Sequence, residues 1–178
     1  MKIRLMILIL LVNTSLFAQV KFTAGVSLNP NLSFDKFGYQ SKPGFDMGAG
    51  VNAGVYLGRR FLILTGIERM REKYLTNANS SIYTSSWDIP LLINYLLSED
   101  GKRISLFFTA GAVGGKYDLS EERNLFGVKY NPYYLSPAVG LSCKINLIQK
   151  LSLFFSLTDL NQKDINSISL RSMLMYTF

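Results

Sequence analysis

The chain has 178 residues, enough for one domain. Charged residues make up only 17%, below the globular share of about 25%, while hydrophobic residues reach 48% and aromatics 13%. The formal net charge is +7, but the lysines and arginines are scattered, which argues against a nucleic-acid partner and reads as a mild surface bias.

There is no histidine, and Cys143 is the single cysteine. An internal disulfide is excluded, as is a metal site built from Cys and His. Any mechanism that needs an imidazole base is excluded too, which removes Ser-His-Asp and Cys-His chemistry together. No catalytic, cofactor-binding or metal-binding residue is therefore expected.

Residues 1–18 have the pattern of a cleavable signal peptide. Lys2 and Arg4 supply a positive start, Leu5 to Val12 an unbroken apolar run, and Ala18 a small residue at the cleavage point. The apolar run is too short to span a bilayer, which needs about 20 residues. Residues 19–178 then form the domain.

After Ala18 the apolar period is two, the signature of strands, in eight segments. The first, Val20 to Asn29, places Phe22, Ala24, Val26 and Leu28 on one face. The second, Phe45 to Leu57, alternates Met47, Ala49, Val51, Ala53 and Val55 with Gly48, Gly50, Asn52 and Gly54. The third, Arg60 to Tyr74, sets Phe61, Ile63 and Ile67 against Leu62, Leu64 and Glu68. The fourth and fifth form a hairpin about the turn Ser98 to Lys102. Trp87, Ile89, Leu91 and Ile93 are on one side with Ile104, Leu106, Phe108 and Ala110. Asp88, Pro90, Asn94, Ser105 and Thr109 are on the other, with Phe107 the bulky exception. Pro90 lacks an N–H and requires a bulge or a missing ladder bond beside it. The sixth, Tyr133 to Ile145, the seventh, Lys150 to Thr158, and the eighth, Ile168 to Phe178, alternate in the same way.

The connections after segments two, four and six are short. Those after one (Pro30 to Gly44), five (Asp118 to Asn131) and seven (Asp159 to Asn166) are longer and polar. This asymmetry, with strands near the 9–11 residues a tilted membrane strand requires, fits an outer-membrane barrel. Glycines gather on the polar face, where a crowded interior leaves room for few long side chains. Aromatics mark both ends: Phe22, Phe61, Tyr95, Tyr176 and Phe178 near the short turns, and Phe45, Tyr83, Trp87 and Tyr133 toward the long connections. The fold expected is all-β, an eight-stranded antiparallel up-and-down transmembrane barrel. The competing fold is a soluble, lipocalin-like barrel whose apolar face is its core and which binds an apolar ligand.

The segment Trp87-Asp88-Ile89-Pro90-Leu91-Leu92, followed by Tyr95, resembles the "(L)-E-I-P-L-L…Y" stretch of the Bacteroidetes outer-membrane β-barrel domain, the PorT-like family. Phe108 to Gly115 is similar to the glycine-bearing strand that follows it there. Met175-Tyr176-Thr177-Phe178 resembles the terminal aromatic signal read by barrel-assembly machinery. The resemblance implies an outer-membrane location, contact with outer-membrane lipid and with the assembly machinery through Phe178, and no agreed activity.

On the polar face the charges are Asp46, Glu68, Asp88, Lys144 and Arg171. Glu68, Asp88 and Arg171 lie at similar heights above the short turns. Charges inside so narrow a barrel must pair or be hydrated. Arg171 is therefore expected to reach Asp88, Glu68 or both, with Asp88 the first choice. In the long connections, Phe37, Tyr39, Arg123, Phe126 and Tyr130 are candidate contacts for an envelope protein or lipopolysaccharide. The functional expectation is a structural or interaction role in the envelope, as an accessory of secretion or surface assembly. A lipid-modifying barrel enzyme ranks lower, because the nucleophile–base pair is missing.

Overall fold

The computed structural model describes residues 20–35, 44–75, 81–98, 102–118, 133–161 and 165–178. Residues 1–18, where a signal peptide is expected, lie outside them. Eight strands follow in chain order: β1 (Lys21–Asp35), β2 (Gly44–Leu57), β3 (Phe61–Leu75), β4 (Ser81–Leu96), β5 (Ile104–Asp118), β6 (Tyr133–Ile148), β7 (Leu151–Asn161) and β8 (Ile165–Thr177). Each pairs antiparallel with the next, and β8 pairs back to β1, so the sheet closes into a barrel. Closure satisfies the backbone of every strand from both sides, which a wall in hydrocarbon requires.

The register sets the size of the barrel. Paired partners followed once around run from Phe22 through Val55, Ile63, Ile93, Ala110, Val139, Asp159 and Ile168 to Leu32. The path returns to β1 ten residues above its start. That stagger tilts the strands, and eight tilted strands enclose a space that side chains can fill.

Three features differ from the alternation-based expectation. β1 continues past Pro30 to Asp35. β7 and β8 are joined across residues 162–164 alone, where a longer polar connection was expected from Asp159 to Asn166. Polar side chains at the ends of β7 and β8 broke the apolar pattern there without ending the strands. β6 runs to Ile148 with an irregularity between Asn146 and Ile148, then turns at once into β7. At the β2–β3 turn, Gly58 takes φ 63°, a conformation glycine adopts at no steric cost.

Two of the strand prolines, Pro30 and Pro90, sit beside ladder gaps. Pro90 pairs with Val113 on β5, but the β3–β4 ladder lacks the pairs Gly66–Pro90 and Ile67–Ile89. The register is the same on either side, so the accommodation is a missing ladder contact and not a bulge. Pro30 pairs with Met47 on β2, while Asn29 and Pro30 are unpaired on the β8 side.

The two faces settle the solvent. Val51, Leu91 and Leu141 point outward and are 60%, 56% and 60% exposed, as are Ile67, Ile89, Leu135 and Val139 in the same belt. An apolar surface running around the whole wall far exceeds the patches soluble monomers expose. The interior instead holds the buried cluster Leu62, Leu64, Leu92, Phe107, Phe154 and Met173, together with most of the buried polar groups. The lumen is thus occupied by the protein's own side chains, and the soluble barrel with a vacant apolar cavity is ruled out. Phe22, Phe61, Tyr95 and Tyr176 edge the belt at the short-turn end, with Trp87 and Tyr133 at the other. The side chains of Phe45 and Tyr83 lie outside the described residues. Cys143 faces outward within the belt.

Leu91 lies midway up the lipid-facing wall. Leu91→Arg is expected to destabilise the barrel by about 2–4 kcal/mol in urea titrations from lipid vesicles. A loss below about 1 kcal/mol would mean that this surface does not meet lipid.

Candidate functional site

The lumen has two levels. Toward the short turns it is plugged by Leu62, Leu96, Phe107, Phe154 and Met175, with the Phe107 and Phe154 rings 5.7 Å apart. A hydroxyl belt crosses the same level. Asn94 Nδ2 donates to the Leu62 carbonyl at 3.1 Å, and Asn94 Oδ1 accepts from Thr109 Oγ1 at 2.7 Å. Thr109 also contacts the Ser142 hydroxyl, and Ser142 donates to Ser156 at 2.8 Å. These serines and threonines are committed to one another, with no base positioned to activate any of them.

Above the plug lies the charge cluster. Arg171 Nε donates to Glu68 Oε2 at 3.0 Å and to Oε1 at 3.2 Å, and its Nη1 donates to Thr158 Oγ1 at 3.1 Å. The two side chains are 2% and 0% exposed. Arg171 is on β8 and Glu68 on β3, so the pair bridges the lumen. Gly50 makes this possible: it sits beside Glu68 in the ladder, and a Cβ there would come within 2.8 Å of Glu68 Cγ. Glu68 leans over this glycine toward Arg171.

Asp88 is not the partner of Arg171. Its Oδ1 accepts from Ser86 Oγ at 2.7 Å and from the phenol of Tyr134. Tyr134 Oη also lies 3.3 Å from Ser86 Oγ. Asp88 pairs in the ladder with Gly115, and Gly115 with Tyr134. A Cβ on Gly115 would collide with the Tyr134 ring, so the ring crosses over this glycine to the carboxylate. Asp88 also stands a little higher above the turns than Arg171, which leaves Glu68 the nearer acid. Counting charges alone missed Tyr134, because a neutral phenol answers the carboxylate. The signal available in the sequence was Gly115, a gap in the polar face beside Asp88.

In the same upper lumen, Asn29, Asn31 and Ser136 carry buried polar atoms with no hydrogen-bond partner among the described residues. Asn29 stands opposite Arg171 in register, at the ladder gap beside Pro30.

The outer wall carries a group that alternation alone left ambiguous. Arg69 Nη2 meets Asp118 Oδ2 at 2.6 Å and Ser85 Oγ at 2.9 Å, and its guanidinium lies 4.8 Å from the Trp87 ring centroid. Lys116 lies 5.8 Å from the Tyr133 ring. These residues edge the apolar belt at the end of the long connections. The loop candidates Phe37, Tyr39, Arg123, Phe126 and Tyr130, and the side chain of Asp46, lie outside the described residues.

Solved structures share this architecture. Ail of Yersinia pestis, the attachment invasion locus protein, is similar over 90% of this chain and 99% of its own, with a TM-score of 0.61 and 14% identity. The fold is that of an outer-membrane β-barrel. Neisserial surface protein A is similar over 88% of this chain and 97% of its own, at TM-score 0.58 and 12% identity. OprG of Pseudomonas aeruginosa matches 89% and 95%, at TM-score 0.51 and 10% identity. No family model and no curated protein matches the chain. In an outer-membrane barrel the short turns face the periplasm and the longer connections face outward. The turns at 58–60 and 149–150, and both Val20 and Phe178, are therefore at the periplasmic end.

Removing one partner of a buried pair leaves an uncompensated charge, which costs about 3–5 kcal/mol. Arg171→Met is expected to lower barrel stability by that amount, read as the midpoint of the heat-modifiable gel shift and of urea unfolding. Adding Glu68→Met is expected to restore most of the loss. Additive losses in the double variant would show that the two groups do not act as a pair. Tyr134→Phe removes one hydrogen bond to Asp88 and is expected to cost about 1–3 kcal/mol.

Proposed function

We propose that this protein is a non-conducting, non-enzymatic barrel of the outer membrane that works by binding at its surface. The observation that carries this reading is the filled lumen. Leu62, Phe154, Met173 and Met175 are closed to solvent, and Glu68 and Arg171 cross the level above them. A barrel so filled is a plug and not a pore. Thr109, Ser142 and Ser156 in the lumen hydrogen-bond one another, and the chain has no histidine to activate them. What remains is the surface, and above all the outward connections.

In this reading Phe37, Tyr39, Arg123, Phe126 and Tyr130 form the contact surface for an envelope or extracellular partner. Aromatic and arginine side chains are the residues most often found as anchors in such contacts. Ail was crystallised with the heparin analogue sucrose octasulfate, which supports ligand capture by a small barrel of this fold. The PorT-like resemblance of Trp87 to Leu92 supports an accessory role in secretion or surface assembly. The same reading has residues 1–18 removed on export and the terminal Phe178 engaged by the barrel-assembly machinery.

Two measurements test it. In planar bilayers the purified barrel is expected to give no discrete conductance steps; regular steps would overturn the plug. A photo-crosslinking residue at Phe37 or Phe126 in living cells is expected to capture a defined envelope component. If only lipid is captured, and deletion of the protein leaves the secreted and surface proteomes unchanged, the interaction role falls.

A further inference from the structure

The periplasmic mouth of the barrel is a second candidate site. Below the plug the lumen opens into a cup of about 840 Å³, within the range of small-molecule sites. Its wall carries Lys21, Arg59, Lys102, Arg103, Lys144 and Lys150. No carboxylate is among its lining residues. Glu99 and Asp100, next to Lys102 in sequence, lie outside the described residues; leaving out Lys150, whose ammonium lies by the outward-facing Tyr176 ring, and counting both acids as ionised, five cations less two anions still leave three net positive charges. Ser105, Ser152 and Thr177 add hydroxyls to the lining. The roof is Leu96 and Phe107, which belong to the apolar plug. The cup is therefore blind, and what enters it is held and not passed on.

Basic residues at a membrane rim have an ordinary use, contact with lipid headgroups around the outside of the wall. Lys144 does not fit that use. Its neighbours Cys143 and Ile145 are on the lipid side of β6, and Lys144 alternates to the lumen. Its Nζ donates to Tyr56 Oη at 3.2 Å and lies 4.9 Å from the Tyr56 ring centroid. Tyr56 in turn packs against the core cluster. A cation is thus fixed inside the mouth by an anchored aromatic side chain, while Arg59, Lys102 and Arg103 approach from two different turns; the Lys150 ammonium, 5.9 Å from the outward-facing Tyr176 ring, lies toward the outer wall.

Five cations around one cavity repel each other, and the arrangement is relieved by an anion. Phosphate matches the lining best. Its oxygens accept several hydrogen bonds at once, and guanidinium forks, ammonium groups and hydroxyls are all donors. The charge count calls for more than one phosphate. We propose that the cup binds a compact anion carrying two or more phosphate groups, entering from the periplasmic side. Such chemistry has two sources, a free oligophosphate and the headgroup of an anionic phospholipid reaching into the mouth.

The test uses the full barrel in phosphatidylcholine nanodiscs, with inorganic tripolyphosphate as the probe in calorimetric titrations. One saturable site is expected, weakened by added salt. Lys144→Met and Arg103→Gln are each expected to weaken binding about ten-fold or more, the size of one lost charge-assisted contact. Lys144→Arg is expected to retain it. Each variant is first checked for the heat-modifiable gel shift, and Arg59→Gln replaces any that fails to fold. Adding phosphatidylglycerol to the nanodisc separates the sources. Competition with tripolyphosphate assigns the site to a headgroup, and an unchanged affinity assigns it to a free oligophosphate. Absence of binding at low salt, or binding indifferent to both charge-removing substitutions, overturns the site. A hexaglutamate peptide binding as tightly as tripolyphosphate overturns the phosphate assignment.

Discussion

Closing eight strands with a stagger of ten residues leaves an interior with room for side chains and little else. Most of this molecule follows from that constraint. Bulk that a soluble barrel would place inside must go outside, where lipid accepts it. Long side chains inside can reach a partner only where a neighbour gives way. Glu68 reaches Arg171 over Gly50, and Tyr134 reaches Asp88 over Gly115. The glycines of the polar face are therefore paired with particular large residues. They decide which acid finds which partner.

The same closure explains why Pro30 and Pro90 are where they are. A wall in hydrocarbon needs its backbone groups bonded, yet Pro30 and Pro90 each interrupt one ladder and leave the other intact. The two gaps flank the buried ion pair. One lies beside Glu68 on β3, the other opposite Arg171 on β8. Polar side chains gather at both places, including Asn29 with its unpartnered amide. The charge cluster and the ladder gaps beside Pro30 and Pro90 thus occupy one level of the lumen.

Much of the architecture was legible because the period of a strand is two and the faces of a barrel differ sharply. The inward set on β3, β5, β6 and β8 follows directly from alternation, Phe107 on β5 included. Two things were not legible. The β7–β8 connection is short because the strands continue through Asp159 and Leu160, and polar residues at a strand end look like loop in one dimension. The basic cup is hidden more thoroughly. Lys21, Arg59, Arg103, Lys144 and Lys150 are spread over 130 residues and look scattered. Only the return of every second connection to the same end, together with closure of β8 on β1, gathers them around one opening.

Once gathered, the charges have a pattern along the axis. The apolar belt carries almost none, the buried Glu68–Arg171 pair is neutral as a unit, and the surplus positive charge sits at the two ends. Arg69, Arg71 and Lys116 stand at the outward edge, the six residues of the cup at the periplasmic one. Both membrane surfaces are rich in phosphate, so positive ends favour a transmembrane seating of the barrel. The ends are not equivalent, however. At the outward edge Arg69 is neutralised by Asp118 and stacked on Trp87, as suits a side chain lying along a wall. At the periplasmic end the cations converge on a cavity whose described lining holds no acid. A seating role requires charge on the outside of the wall. Charge turned into a blind cavity points instead to the proposed anionic ligand.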